Sequence, residues 1–247
     1  KKSGKNAGLV YSISTIGGIF MTFLLGFFII EEYGITVPNM FVSGVLLITT
    51  TLLLYRNSRL IFISVISLIF LLESNSVYKS NIQNTVNSST FNIRYESEGL
   101  LGQLRVLDEY YPDVEVTDRS MLVNAIPQTF VNAATGYSYW YYVHMISTIC
   151  SSKPIGSDIL LLGFGGGSVA SELTRLDLNI DAIEIDKRMY QLSKDYFLFD
   201  PKNTNFIVDD ARHYLKTTTK KYDVIVFDML KGEVQPPYVL TKESFEE

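Results

Sequence analysis

Residues 155–186 read IGSDILLLGFGGGSVASELTRLDLNIDAIEID. Within this stretch Ile159, Leu160, Leu161 and Leu162 form an apolar run too short to be a helix of its own, and it stops at Gly163, Phe164, Gly165, Gly166 and Gly167. A run of that length bounded by glycines predicts a strand buried on both faces that enters a tight turn. Ser168 stands where a helix N-cap is expected, ahead of Val169, Ala170 and Leu173 at helical spacing. A second apolar run, Ala182 to Ile185, carries an acid, Glu184. Strand, turn, helix and strand in that order predict a parallel α/β sheet.

The chemistry follows from the residue types. Glycines at 163, 165 and 167 let a ligand approach the backbone, and the helix behind them presents free N–H groups and a positive dipole end. An acid roughly 20 residues past the first glycine is placed to accept hydrogen bonds from two ribose hydroxyls. The fingerprint for nicotinamide dinucleotides wants glycine at the sixth position, where this chain has Ser168. The G-x-G-x-G form is instead that of S-adenosylmethionine enzymes. A glycine-rich turn alone also arises for packing, so the weight lies on the four parts together.

Further strands extend the pattern. A helix is expected over 187–199, then a strand at Asn205–Val208 ending in Asp209 and Asp210, and a strand at Tyr222–Phe227 ending in Asp228. Asp210 can bond an adenine amine or cap a helix over 211–215, and the two acids allow both. Ligands of open α/β sheets lie outside the carboxyl ends of the strands, so Gly163, Glu184, Asp210 and Asp228 should converge. Four parallel strands are few for a doubly wound sheet, the first residue is not Met, and a helix is expected to open at the last residues; the chain is therefore expected to be a portion of a longer polypeptide. Ahead of this unit, Ile93, Tyr95, Leu104, Val106, Met121 and Val123 alternate with polar residues, with Pro112 and Asp113 as a turn, which predicts a small antiparallel sheet. The aromatic cluster Tyr137, Tyr139, Trp140, Tyr141 and Tyr142 reads mainly as core, with a membrane-facing belt or an amine site as the other options.

Composition narrows the classes. A net charge of -5 leaves no basic footprint for nucleic acid. One cysteine, Cys150, excludes an intrachain disulfide, and with two histidines, His144 and His213, no metal site is expected. His213 is expected on the exposed side of a helix and His144 within the aromatic segment.

The first third is a different material. Residues 8–30 are uncharged and apolar over a length that crosses a bilayer, with Ser14, Gly18, Thr22 and Gly26 every fourth position as a packing face for another helix. Glu31 to Gly34 make a polar turn, Pro38 opens a second span over 41–55, and 60–72 is a third, shorter apolar run. The expected division is membrane helices over 1–73, a linker over 74–92, the small sheet and aromatic segment over 93–150 and a nucleoside-binding Rossmann-like domain over 151–247. Lys1, Lys2 and Lys5, with Arg56 and Arg59, put three spans in conflict with a cytoplasmic site under the positive-inside rule, whereas S-adenosylmethionine is a cytoplasmic metabolite.

From about Tyr95 onward the motifs YESEGLLGQLRVLD, RSMLVNAIPQTF, YWYYVH, LLLGFGGGSVASEL, AIEID, VDDARHYL and YDVIVFDMLKGEVQPPYVLTKESF together resemble the spermidine synthase (polyamine aminopropyltransferase) family. The first span resembles the helix of its bacterial membrane-fused branch. The resemblance implies a small N-terminal sheet, a Rossmann-like domain, and S-adenosylmethionine or its decarboxylated form as the donor. It also implies an inner-membrane setting with the bilayer and an amine or membrane-bound acceptor as partners, and other membrane helices or a second copy beside it. Carried over by residue, Glu184 holds the ribose, Asp210 the adenine, Gln103 and Gln128 lie beside donor and acceptor, Asp228 assists deprotonation of the amine, and Tyr141 is the tyrosine of the Tyr-His-Glu element. The chain departs from the family at Gly166, Val143 and Lys231, where carboxylates that grip ammonium groups are replaced. Putrescine is therefore not implied as the acceptor, and a silent nucleoside-binding domain or a methyltransferase on a membrane-bound substrate stay open beside aminopropyl transfer.

Overall fold

The computed structural model describes residues 2–53, 89–229 and 237–246. The third apolar run, Arg56, Arg59, most of the expected linker and Lys231 lie outside the described residues. Two compact units are present, one holding the N-terminal helices with Ser97–Gln103, the other the strand residues up to Glu96 and Leu104–Glu247.

In the helical unit, α1 (Lys2–Leu24) runs on through a π turn at Leu25–Ile29 and a last turn at Ile30–Tyr33. Its stretch Asn6–Tyr33 has 28 residues and holds an 18-residue window of mean hydropathy 2.2, long and apolar enough to cross a membrane. Ser12, Thr15 and Thr22 donate their hydroxyls to the carbonyls of Gly8, Tyr11 and Gly18, so these polar groups are satisfied inside the helix. The π turn falls on Gly26, the last member of the small-residue stripe. Glu31, Glu32 and Tyr33 are helical rather than a turn, and the chain breaks at Gly34 with φ of 71°. The second expected span falls on α2 (Thr36–Leu53), whose apolar part Thr36–Leu52 is shorter than α1.

Glu98 caps the start of α2. Its Oε2 accepts from the N–H groups of Ile35 and Thr36, both at 2.9 Å, and its Oε1 from the Thr36 hydroxyl at 2.7 Å. Burial works to raise this carboxyl, but the three bonds outweigh it and hold it below its ordinary value. A Cβ on Gly34 would stand 2.6 Å from Glu98, so glycine at that turn lets the cap form.

The second unit holds two sheets. The expected antiparallel sheet has the order β1 (Thr90–Ser97), β2 (Leu104–Tyr111), β3 (Val116–Val123), β4 (Ile126–Asn132). Tyr111 faces Val116 across the Pro112–Asp113 turn, and Leu104, Val106 and Met121 point into the core with no exposed surface. Strand β4 and the hairpin that leads to it were not expected. Its two-residue loop, Asn124 and Ala125, has φ of 50° and 67°, the primed turn that matches strand twist. The aromatic segment folds into α3 (Tyr141–Cys150), also unexpected, with Val143 and Cys150 buried and Tyr142 and Ile146 packed beside them. His144 bonds the Ser138 carbonyl at 2.8 Å and stacks on Tyr137, as expected for that segment. The core reading holds for Trp140 and Tyr142, whereas Tyr137, Tyr139 and Tyr141 are exposed.

The remaining elements are β5 (Asp158–Leu162), α4 (Ser168–Arg175), β6 (Asn179–Glu184), α5 (Arg188–Tyr196), β7 (Thr204–Val208), α6 (Ala211–Thr217), β8 (Val224–Phe227) and α7 (Lys242–Glu246). The strands form a parallel sheet in the order β7-β6-β5-β8. Strand β5 is apolar from Ile159 to Leu162 because both its faces are covered there. Ile159 and Leu161 join Val169, Ala170 and Leu173 of α4 on one side; Leu160 and Leu162 join Ala211 and Leu215 of α6 and Val239 on the other. These four side chains have 0% exposure, and each such burial is worth about 1.5–3 kcal/mol. Ser168 is not the helix cap: Gly167 takes that place at φ of 81°, with the rings of Phe164 and Phe199 about 3.1 and 3.3 Å from where its Cβ would be. A positive φ against two rings suits glycine and no hydroxyl-bearing residue.

Near the opposite strand ends, buried Asp181 accepts from Lys220 Nζ at 2.9 Å, Tyr222 OH at 2.7 Å and Asn205 Nδ2 at 3.0 Å. Burial acts to raise its carboxyl, and these bonds outweigh it and hold it low. Replacing Asp181 by Ala leaves Asn205 without its acceptor, while Lys220 can turn to water and Tyr222 keeps its bond to Tyr214. Asp181→Ala should therefore cost about 2–4 kcal/mol, less than a fully buried pair would. Urea unfolding checks this, and a loss under about 1 kcal/mol would contradict it.

Candidate active site

The parallel sheet reverses strand order at β5, between β6 and β8, and its carboxyl ends there carry the glycine turn, Glu184 and Asp228. Ligands of open α/β sheets bind at this kind of switch point. Gly163 has φ of 90°, and a Cβ on it would lie 2.1 Å from the Asp228 carbonyl oxygen, so the ends of β5 and β8 touch at that point. Asp228 N donates to Leu162 O at 2.8 Å and Gly163 N to Ile183 O at 2.9 Å, which fixes all three strand ends in register.

Glu184 closes on the turn. Its Oε2 accepts from Phe164 N at 3.1 Å and Gly165 N at 3.4 Å, and its Oε1 from Asp186 N at 3.0 Å. Burial raises this carboxyl above its ordinary value despite those bonds, and the charge of Asp186 adds to it. The aromatic ring at the second turn position packs into the core: Phe164 is buried in edge contacts with Phe199 and Phe206 at 5.1 and 5.0 Å.

Asp228 is the second acid. Burial pushes its carboxyl up to about 6, the hydrogen bond from Tyr142 opposes the shift, and the nearby charge of Glu184 adds to it. Burial and then Asp228 raise the Tyr142 hydroxyl in turn. The tyrosine that meets Asp228 is thus Tyr142; Tyr141, the candidate that the motif singles out, is 77% exposed at the first position of α3. Tyr142 lies on the inner face of α3 with Val143, Ile146 and Cys150, and that spacing is the sequence signal that could have picked it.

Asp210 caps α6. Its Oδ1 accepts from His213 N at 3.0 Å, and Oδ2 faces the Tyr238 hydroxyl at 3.4 Å. The capping reading of Asp210 therefore holds, and its second oxygen is turned to Tyr238. Asp209 pairs with exposed His213 at 2.9 Å. Gln128 lies in β4, and its carbonyl is 3.5 Å from where a Cβ on Gly165 would sit, so β4 passes directly over the turn. Gln103 ends the Ser97–Gln103 segment, which groups with the helical unit rather than with the glycine turn. Thr129, which no sequence pattern marked, donates to Gln128 O and accepts from Gly166 N, both at 2.8 Å.

Residues 140–247 match the family model described as "Spermine/spermidine synthase domain", a span that holds Tyr142, the glycine turn, Glu184, Asp210 and Asp228. This part of the chain is similar to spermidine synthase-type domains. The polyamine aminopropyltransferase of Vibrio vulnificus is 38% identical over 111 residues, covering 42% of this chain and 37% of the relative. That of Thermococcus onnurineus is 28% identical over 158 residues, 61% of this chain and 48% of the relative. The chain thus spans less than half the length of these curated relatives. A crystal structure of spermidine synthase in complex with the transition state analogue AdoDATO shares the fold, with a TM-score of 0.50 and 15% identity over 62% of this chain and 52% of that one. Two of the departures from the family's motifs have a structural counterpart: Val143 has 0% exposure in the core, and a side chain at Gly166 would collide with Thr129.

Proposed function

We propose that this chain is a membrane-anchored transferase of the spermidine synthase type, moving an aminopropyl group from decarboxylated S-adenosylmethionine to an amine. The observation that carries the reading is the meeting of Asp228, Tyr142 and Glu184 at the glycine turn, where three strand ends converge. A nucleoside sulfonium fits the donor set: Glu184 for the sugar hydroxyls, Asp210 for the adenine amine, and a turn without side chains at 163, 165 and 167 for close approach.

An alkyl amine is protonated at neutral pH, as lysine is, and attacks only after losing a proton. Asp228, with its carboxyl near 6, is ionised at neutral pH and takes that proton, while Tyr142 fixes its orientation. The amine nitrogen then forms a bond to the aminopropyl carbon, the carbon–sulfur bond breaks with its electrons going to sulfur, and methylthioadenosine leaves. Alignment of nitrogen, carbon and sulfur supplies most of the acceleration such a step needs.

Anchoring rests on the 28-residue stretch Asn6–Tyr33 and its exposed apolar side chains. We assign the site to the cytoplasmic side, where the donor is made. The test is to incubate the detergent-purified protein with decarboxylated S-adenosylmethionine and a panel of amines, and to measure methylthioadenosine release and calorimetric binding. Release with at least one amine is expected. If decarboxylated S-adenosylmethionine, S-adenosylmethionine and methylthioadenosine all fail to bind, the reading is wrong. Glu184→Ala should weaken donor binding about tenfold or more, because a carboxylate-to-hydroxyl bond is worth about 1.5–3 kcal/mol, while turnover at saturation changes little. Equal loss in affinity and turnover would reassign Glu184 from binding to the reacting centre.

A further inference from the structure

Each N–H of the glycine turn already has an acceptor within the chain. Gly163 donates to Ile183 O and Gly167 to Phe164 O, both at 2.9 Å; Phe164 and Gly165 donate to Glu184; Gly166 donates to Thr129 Oγ1 at 2.8 Å. A loop that binds phosphate or carboxylate does so with N–H groups left free for the ligand. Four of these five bonds are made by residues of the turn or of β6, next to it. The fifth comes from outside: Thr129 reaches in from β4, 37 residues away in sequence and 2% exposed. Thr129 also fills the space above the turn, since a Cβ on Gly166 would stand 2.7 Å from its Oγ1 and 2.8 Å from its Cγ2.

We propose that Thr129 is a specificity-determining residue, which closes the glycine turn to anionic groups so that the site takes a nucleoside donor whose tail ends in an amine and discriminates against one whose tail carries a carboxylate. The inference rests on the nucleoside-donor reading above and adds the device that sorts between two donors of the same nucleoside. With Gly166 N–H taken and Glu184 and Asp228 alongside, the turn offers a carboxylate no donor and two negative neighbours. Removing the Thr129 hydroxyl frees one N–H and, in the alanine variant, the volume in front of it.

Calorimetric titration of the wild type, Thr129→Ala, Thr129→Val and Thr129→Ser with methylthioadenosine, S-adenosylmethionine and decarboxylated S-adenosylmethionine tests this. Thr129→Ala should raise affinity for S-adenosylmethionine relative to methylthioadenosine about tenfold, the worth of one charge-assisted hydrogen bond. Thr129→Val should move the same ratio in the same direction, and Thr129→Ser should leave it at the wild-type value. A ratio within twofold of wild type in whichever of the alanine and valine variants folds, with methylthioadenosine still bound, overturns the role of Thr129 and leaves the nucleoside reading standing. Loss of methylthioadenosine binding in the wild type itself removes both.

Discussion

Asp228→Asn should lower aminopropyl transfer by a factor of about 10²–10⁴ while leaving donor affinity within a few-fold of wild type. The same substitution should make the protein more stable at pH 8. Both follow from one fact: burial holds the Asp228 carboxyl up at about 6 against an ordinary 3.8. The folded chain therefore keeps this proton more tightly than the unfolded chain does. As pH rises from about 4 through about 6, folding stability falls by up to about 3 kcal/mol, at 1.36 kcal/mol per unit, and above that window the loss is constant. An amide carries no such penalty. It also loses a charge-assisted bond from Tyr142, which offsets about 1–2 kcal/mol. Thermal melts should show Asp228→Asn above wild type at pH 8 by a few degrees and level with it near pH 4. In the wild type the rate should fall on the acid side with a midpoint near 6. A stability difference that does not change between pH 4 and pH 8 would mean that Asp228 is not the buried, raised acid this site requires.

The two carboxylates are legible in the sequence, and their mutual geometry is not. Glu184 and Asp228 each close a short apolar strand, and a strand end in an open α/β sheet has one destination, so position alone gave their neighbourhood. Strand β5 was equally plain, because burial on both faces removes every polar residue from Ile159 to Leu162. Tyr141 and Tyr142 are adjacent residues of the same type. Which of them meets Asp228 depends on the rotation of α3, and the aromatic density of the segment hid that α3 is a helix at all. Strand β4 was missed for a different reason: its hairpin turn has Ala125 at a positive φ where glycine is the usual marker. Thr129 and Gly166 meet across 37 residues with no periodicity to announce them. Asp210 caps α6 with one carboxylate oxygen and meets Tyr238 with the other, so sequence could name the residue without choosing its role.

Gly163→Ala should abolish the fold of the parallel-sheet part of the chain or leave it several kcal/mol less stable, because the added methyl makes the closest contact found among the glycines described. Two costs add. The residue sits at φ of 90°, where a side chain is strained, and the new methyl would lie 2.1 Å from the Asp228 carbonyl oxygen and 2.7 Å from its carbon. Backbone cannot swing aside as a long side chain can. Relief requires β5 and β8 to separate just past Leu162 and Phe227, which pair in register, and that strains the bond from Asp228 N to Leu162 O. Gly156→Ala is the control: its φ is 81°, and nothing lies within 4 Å of the added methyl. That variant should cost only the backbone strain, about 1–2 kcal/mol. The difference between the two, read by urea unfolding or by soluble yield where Gly163→Ala does not fold, isolates the contact of the two strand ends. Equal losses would mean that β5 and β8 do not touch at Gly163, and the convergence of Asp228 on the glycine turn, from which the proposed chemistry is built, would go with that contact.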